Sequence, residues 1–218
     1  MKKTFILFAI TFLAVIFACN KLNAQEESNY ETLLSRDDGF SHGAYVGMDF
    51  GYTEVANRSS FLTGVTIAWV IDHTIELGIA GKGFVTNPLP DLLLENNNYM
   101  YAGGYGGLHC AVNILGKKPI NVSIPIILGA GEISYIRSQY TGYYDNFYPE
   151  SHYLYFVVEP GIELQLNMTK FFRLSAGVSY RYTSDIYLLY SNIDAQPIAS
   201  PSILRGLNAG IKIKFGRF

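Results

Sequence analysis

The chain has 218 residues, with 16 Lys and Arg against 18 Asp and Glu for a formal charge of -2; 49% is apolar and 15% aromatic. Charged residues reach only 16%, below the ~25% of ordinary soluble domains, and an apolar content this high excludes an intrinsically disordered chain. No basic excess exists to neutralise phosphates, which argues against a nucleic-acid partner, and two Cys cannot build a disulfide scaffold.

Lys2 and Lys3 precede an apolar run from Phe5 to Ala18, followed by the polar Asn20-Lys21-Leu22-Asn23-Ala24-Gln25. A basic start, a short apolar stretch and a small residue before a polar one read as a secretory signal over residues 1–24. The run is shorter than the ~20 residues of a membrane-spanning helix. A lipoprotein signal cut before Cys19 is the alternative, with the bulky Phe17 against it. Residues 25–43 are polar and acidic and read as a periplasmic lead-in.

From Ala44 onward, period-2 alternation recurs, which is the strand signal. In the first segment Ala44, Val46, Met48, Phe50 and Tyr52 alternate with Gly47, Asp49, Gly51 and Thr53. The second sets Val65, Ile67, Trp69 and Ile71 against Gly64, Thr66 and Ala68. The third sets Ile75, Leu77 and Ile79 against Glu76, Gly78, Ala80 and Lys82. The fourth, Tyr99 to Leu115, is blurred by Gly103-Gly104-Tyr105-Gly106-Gly107, which suggests a bulge or tight bend. The fifth carries Ile120, Val122, Ile124, Ile126 and Leu128 on one face. In the sixth, Leu154, Phe156, Val158, Ile162, Leu164 and Leu166 oppose Glu159, Gly161, Glu163 and Gln165. The seventh sets Phe172, Leu174, Val178, Tyr180 and Tyr182 against Arg173, Ser175 and Arg181. The eighth sets Ala209, Ile211, Ile213 and Phe215 against Asn208, Lys212 and Lys214.

Short connections at Asp72-His73, Gly116–Pro119 and Asn167–Lys170 alternate with longer ones at Glu54–Ser60, Val85–Asn98, Ser134–Ser151 and Ser184–Leu204. Segments of this length, joined alternately by short and long connections, fit an all-β, eight-stranded antiparallel up-and-down transmembrane β-barrel over residues 44–218. Closure is required because lipid cannot satisfy an open strand edge. The inward face then carries Asp49, Glu76, Lys82, Glu159, Glu163, Arg173, Arg181, Lys212 and Lys214. Buried charges must be paired, so these nine are expected to form a lumenal ion-pair network, with Glu159 and Glu163 facing Arg173 and Arg181. Tyr52, Trp69, Phe84, Tyr99, Tyr101, Tyr153, Phe172 and Tyr182 near segment ends suit interfacial girdles. A soluble lipocalin-like carrier would reverse the faces, apolar inward and charged outward.

Those segments, together with Val158-Glu159-Pro160-Gly161-Ile162-Glu163-Leu164-Gln165-Leu166-Asn167, Phe171-Phe172-Arg173-Leu174 and the closing Leu207–Phe218, resemble small Gram-negative outer-membrane β-barrel proteins. The resemblance implies an outer-membrane location, contact with outer-membrane lipid and lipopolysaccharide, and recognition of a final aromatic residue, here Phe218, by the barrel-assembly machinery. Phe218 lies three residues beyond Phe215, out of step with the apolar face.

Chemistry-bearing patterns are sparse. His42, His73, His109 and His152 form no close metal motif. His109 and Cys110 are adjacent and so point to opposite faces of a strand. No phosphate loop or nucleophile elbow is present, and no cofactor or metal is expected. An outer-membrane lipid-modifying enzyme is the catalytic alternative, resting on Glu150-Ser151-His152. The favoured expectation is a non-enzymatic barrel with a plugged lumen. Its function is then structural, or it binds an unidentified surface ligand through Tyr135, Tyr140, Tyr143, Tyr144, Phe147 and Tyr148, because Tyr offers rigid amphipathic contact area. The apolar Ile186-Tyr187-Leu188-Leu189-Tyr190 is expected to extend the seventh segment.

Overall fold

The computed structural model describes residues 41–94, 97–139, 146–190 and 196–218. The secretory-signal reading of residues 1–24, and most of the lead-in, lie outside these residues.

Nine strands follow in chain order: β1 (His42–Val55), β2 (Arg58–Ile71), β3 (Ile75–Thr86), β4 (Leu89–Asp91), β5 (Asn97–Ile114), β6 (Ile120–Gln139), β7 (Asn146–Asn167), β8 (Phe172–Thr183) and β9 (Gly206–Arg217). Every pairing is antiparallel and joins neighbours in sequence, except two. β1 pairs with β9, from Ala44↔Arg217 to Thr53↔Asn208. β3 pairs with β5, from Ile75↔Val112 to Val85↔Ala102. These two seams close eight strands into a barrel, and three-residue β4 is a short ribbon laid along the start of β5.

Within each barrel strand the side chains divide by parity. In β1 Tyr45, Thr53 and Val55 are buried while Val46, Met48, Phe50 and Tyr52 are exposed. In β7 Tyr155, Val157 and Glu159 are buried while Leu154, Phe156, Val158, Ile162 and Leu164 are exposed. Repeated round the barrel, this parity gives an outer belt of Val, Ile, Leu and Phe and an interior into which charged side chains such as Glu76, Glu159, Arg173, Arg181, Lys212 and Lys214 are turned. That polarity is the reverse of a water-soluble barrel and is what a hydrocarbon surround stabilises. The lipocalin-like alternative required the opposite assignment and does not describe this chain.

The connections differ from the sequence expectation in five places. Glu54–Ser60 is not a loop, because Val55 pairs with Arg58 around a two-residue turn in which Ala56 and Asn57 have φ of 54° and 58°. Two successive positive φ values match the right-handed strand twist and make a tight hairpin. The glycine run Gly103–Gly107 makes no bulge, and β5 stays in register with both neighbours along it. Its glycines are required by close approach instead, since a Cβ on Gly107 would stand 2.1 Å from the Leu128 carbonyl oxygen. The bulge lies elsewhere, where the β6–β7 register shifts between Tyr135 and Ile136. Much of Ser134–Ser151 is strand, because β6 and β7 rise well past their neighbours. Finally, Ile186–Tyr190 does not extend β8. It turns inward over the barrel mouth and pairs with residues 196–201 through Tyr190 N–H to Gln196 O (3.0 Å) and Ile198 N–H to Leu188 O (2.8 Å).

Candidate functional site

The interior has a polar lower half, toward the short β2–β3, β5–β6 and β7–β8 turns, and an apolar upper half, toward the longer connections. All nine charged residues singled out in the sequence point inward, because each has the inward parity of its strand. Glu76 accepts hydrogen bonds from the Tyr45 hydroxyl (2.6 Å) and Asn113 Nδ2 (2.9 Å), with Lys214 Nζ at 3.3 Å and His109 Nε2 at 3.5 Å. Lys214 also lies 3.6 Å from Glu163, Glu163 sits 2.7 Å from Lys212, and Lys212 sits 3.3 Å from Asp49. Glu76, Lys214, Glu163, Lys212 and Asp49 therefore make one unbroken chain of alternating charge. Lys82 and Glu159 form a separate pair at 2.7 Å, and Glu159 also accepts from Tyr105, Ser179 and Asn208.

The expected pairing of Glu159 and Glu163 with Arg173 and Arg181 does not occur. Directly opposed positions on β7 and β8 place Glu163 against Gly177, and Asn167 against Arg173. The short gap across the lumen brings lysines from β3 and β9 to the carboxylates first. Arg181 instead donates from Nε to Leu204 O (2.7 Å) and from Nη2 to Thr53 Oγ1 (3.3 Å), and lies 5.1 Å from the Phe84 ring centroid. Arg173 lies 3.9 Å from the Phe218 ring centroid, and its Nη1 has no hydrogen-bond partner.

The sequence reading missed the polar partners Tyr45, Tyr105, His109, Asn113, Ser179 and Asn208. Their inward parity was the available signal. His109 and Cys110 do point to opposite faces, His109 buried in the lumen and Cys110 on the outer wall. Among the described residues no cluster of three His, Cys, Asp or Glu could hold a metal ion.

Above the charges the lumen is filled by Leu62, Phe84, Tyr101, Ile133, Tyr155 and Val157, and the segment after β8 closes it with Ile186, Leu188, Tyr190, Ile203 and Leu204. Phe84, Tyr99 and Tyr101 belong to this plug, not to a girdle. Tyr153 packs against the same plug. Tyr52, Trp69 and Tyr182 do face outward. Tyr135, expected on an outer loop, is buried in the mouth between Tyr99 (4.9 Å) and Tyr101 (4.8 Å). Its hydroxyl and that of Tyr190 both donate to Asp91 at 2.7 Å. Burial pushes the Asp91 carboxyl up. The two phenols, the Leu93 amide and the Arg58 charge outweigh this and hold it below the usual carboxylate range. Tyr140, Tyr143 and Tyr144, and the side chains of Phe147 and Tyr148, lie outside the described residues.

No protein-family model matches the chain, and neither does any curated protein sequence. Among solved structures, Neisserial surface protein A is similar at a TM-score of 0.52 and 12% identity, over 83% of this chain and 100% of that one. The two share a fold. The N-terminal β-barrel domain of Pseudomonas aeruginosa OprF (TM-score 0.43, 13% identity, 79% and 96% covered) and the attachment invasion locus protein of Yersinia pestis (0.43, 12%, 81% and 97%) are more distant.

The His152 alternative gains no catalytic geometry. Ser151 and His152 lie on opposite sides of β7, with Ser151 Oγ accepting from the Leu189 amide (3.3 Å) and His152 exposed on the outer wall. On β6 it is Ser134 that pairs with His152, and among the described residues no side-chain hydrogen bond joins them.

Proposed function

We propose that the chain is an outer-membrane β-barrel protein with a non-conducting lumen. Its function would be structural, or binding at the cell surface through the Tyr-rich connection between β6 and β7. The observation carrying this reading is the reversed polarity of a closed barrel whose interior is largely filled by its own side chains. An apolar belt around a charged core is stable where hydrocarbon surrounds it, and a Gram-negative outer membrane is where closed barrels of this size reside. The short turns then face the periplasm and the long connections the outside.

Conduction is opposed by both halves of the lumen. A cavity of about 60 Å³ lies among Asp49, Lys82, His109, Glu159 and Lys212; at ~10–15 Å³ per water it accommodates a few waters and no continuous path. Above it lies the apolar and aromatic plug. Eight strands leave an interior that side chains can fill. In planar bilayers the purified barrel is expected to give no steps of porin size; such steps would overturn the plugged lumen. Cells from which the β6–β7 connection has been trimmed to a short turn should keep a folded barrel and lose surface binding of any ligand found for the intact protein. Retained binding would assign the role to another surface.

A further inference from the structure

Arg173 is the one buried lumenal cation that neither a carboxylate nor a carbonyl satisfies among the described residues. It is 3% exposed, its Nη1 is unpartnered, and one face of its guanidinium is covered by Phe218. The residue borders a concavity at the turn end of the barrel, also lined by Lys117, Lys170, Arg217, His73 and Thr169. Four cationic side chains thus border one hollow, and among the described residues no acidic side chain lines it. Asp72 stands 3.7 Å from Lys117 with both side chains exposed, a contact of little worth in water. Asn167 shapes the hollow by donating to Gly116 O (3.2 Å) and Lys118 O (2.6 Å), which holds the Lys117 turn over it.

Three lysines meet four carboxylates in the middle, and at each end stands an arginine with no carboxylate at ion-pair distance among the described residues, Arg173 feeling Glu76 only at longer range. Arg181 at the upper end is met by Leu204 O and Thr53. Arg173 at the lower end lacks any such acceptor. A buried guanidinium left unpaired is costly, and its planar fork suits two oxygens of one anion.

We propose that the turn-end hollow is an oxyanion site, in which the Arg173 guanidinium grips two oxygens of a phosphate group while Lys117, Lys170 and Arg217 supply the surrounding positive field. This goes beyond the proposed surface role and holds whether or not that role is correct. The phosphate could come from free phosphate or from an anionic lipid headgroup at the inner leaflet.

The test uses the full barrel folded in a non-ionic maltoside detergent, titrated with inorganic phosphate at constant ionic strength and followed by 31P NMR. Saturable binding is expected, weakened about tenfold or more in R173Q. The rim variant K170Q/R217Q leaves the lumen untouched and should weaken binding too. Folding of each variant is checked by its compact band on an unboiled gel. Absence of saturable binding to the wild type, or binding of wild-type strength by R173Q, overturns the proposal. In nanodiscs, loss of phosphate binding when phosphatidylglycerol is present supports the site and names the headgroup as its source. Binding unchanged by phosphatidylglycerol supports it with free phosphate as the source.

Discussion

Glu163 holds Lys212 at 2.7 Å and Lys214 at 3.6 Å, and through them connects Asp49 to Glu76. It is the central link of the lumenal charge chain. Glu163→Ala would leave two lysines facing each other without their shared carboxylate. Removing one partner of a buried pair costs ~3–5 kcal/mol, so urea unfolding of the barrel in lipid should show a loss of that order. A loss below ~0.5 kcal/mol would mean the site behaves as a hydrated surface.

Asp91 joins three elements of the mouth, accepting from Tyr135 on β6 and Tyr190 in the β8–β9 connection. Hydrogen bonds to a carboxylate contribute ~1.5–3 kcal/mol. Asp91→Asn should therefore raise hydrogen exchange at the Tyr190 and Ile198 amides by about tenfold or more, with the lower lumen unchanged. The pH dependence has a fixed sign. The folded-state pKa of Asp91 lies below its ordinary value, so the clasp is fully present above the unfolded value of about 4. It is lost as pH falls through the lower, folded value. Exchange at these amides should be flat from pH 7 to pH 5, once corrected for its intrinsic rate, and rise only under more acid conditions.

The two kinds of glycine in this barrel predict opposite responses. A methyl at Gly107 meets the Leu128 carbonyl oxygen at 2.1 Å, whereas one at Gly81 finds nothing nearer than 4.0 Å. Gly107→Ala forces β5 and β6 apart and should destabilise by ~1–3 kcal/mol. Gly81→Ala should change the melting temperature little. Equal effects would show that the β5–β6 contact is looser than described.

Phe218 is turned into the barrel, its ring 5.5 Å from Tyr45 and its face toward Arg173. Phe218→Leu keeps apolar bulk and removes the ring, and should cost ~0.5–2 kcal/mol in unfolding. The same variant measured for yield in the membrane separates this packing role from the assembly role suggested by the resemblance. Normal insertion with a lower melting point would assign Phe218 to packing.

The lower half of the barrel was legible in the sequence and the upper half was not, for one physical reason. In the lower half the two faces differ in chemistry, as with Glu159 and Glu163 against Val158 and Ile162, so parity alone reports inside and outside. In the upper half both faces are apolar. Phe84, Tyr101 and Tyr135 read as girdle or loop residues, and only the three-dimensional register shows that they fill the mouth. Ion pairing was illegible for a related reason. Parity sends Glu163 and Arg173 inward, but which cation arrives first depends on distances across the lumen, which no single strand records. The closing segment Ile186–Tyr190 also escaped, because its alternation continues past β8 while its backbone–backbone hydrogen bonds go to residues 196–201 instead of to a neighbouring strand.

The most direct test of a closed membrane barrel is heat-modifiability. Outer membranes from cells producing the protein are dissolved in mild detergent and run on a denaturing gel, unboiled and boiled. A fast, compact band in the unboiled lane alone, with the protein in the membrane fraction, is the predicted result. A single band in both lanes, with the protein in the soluble fraction, would contradict it.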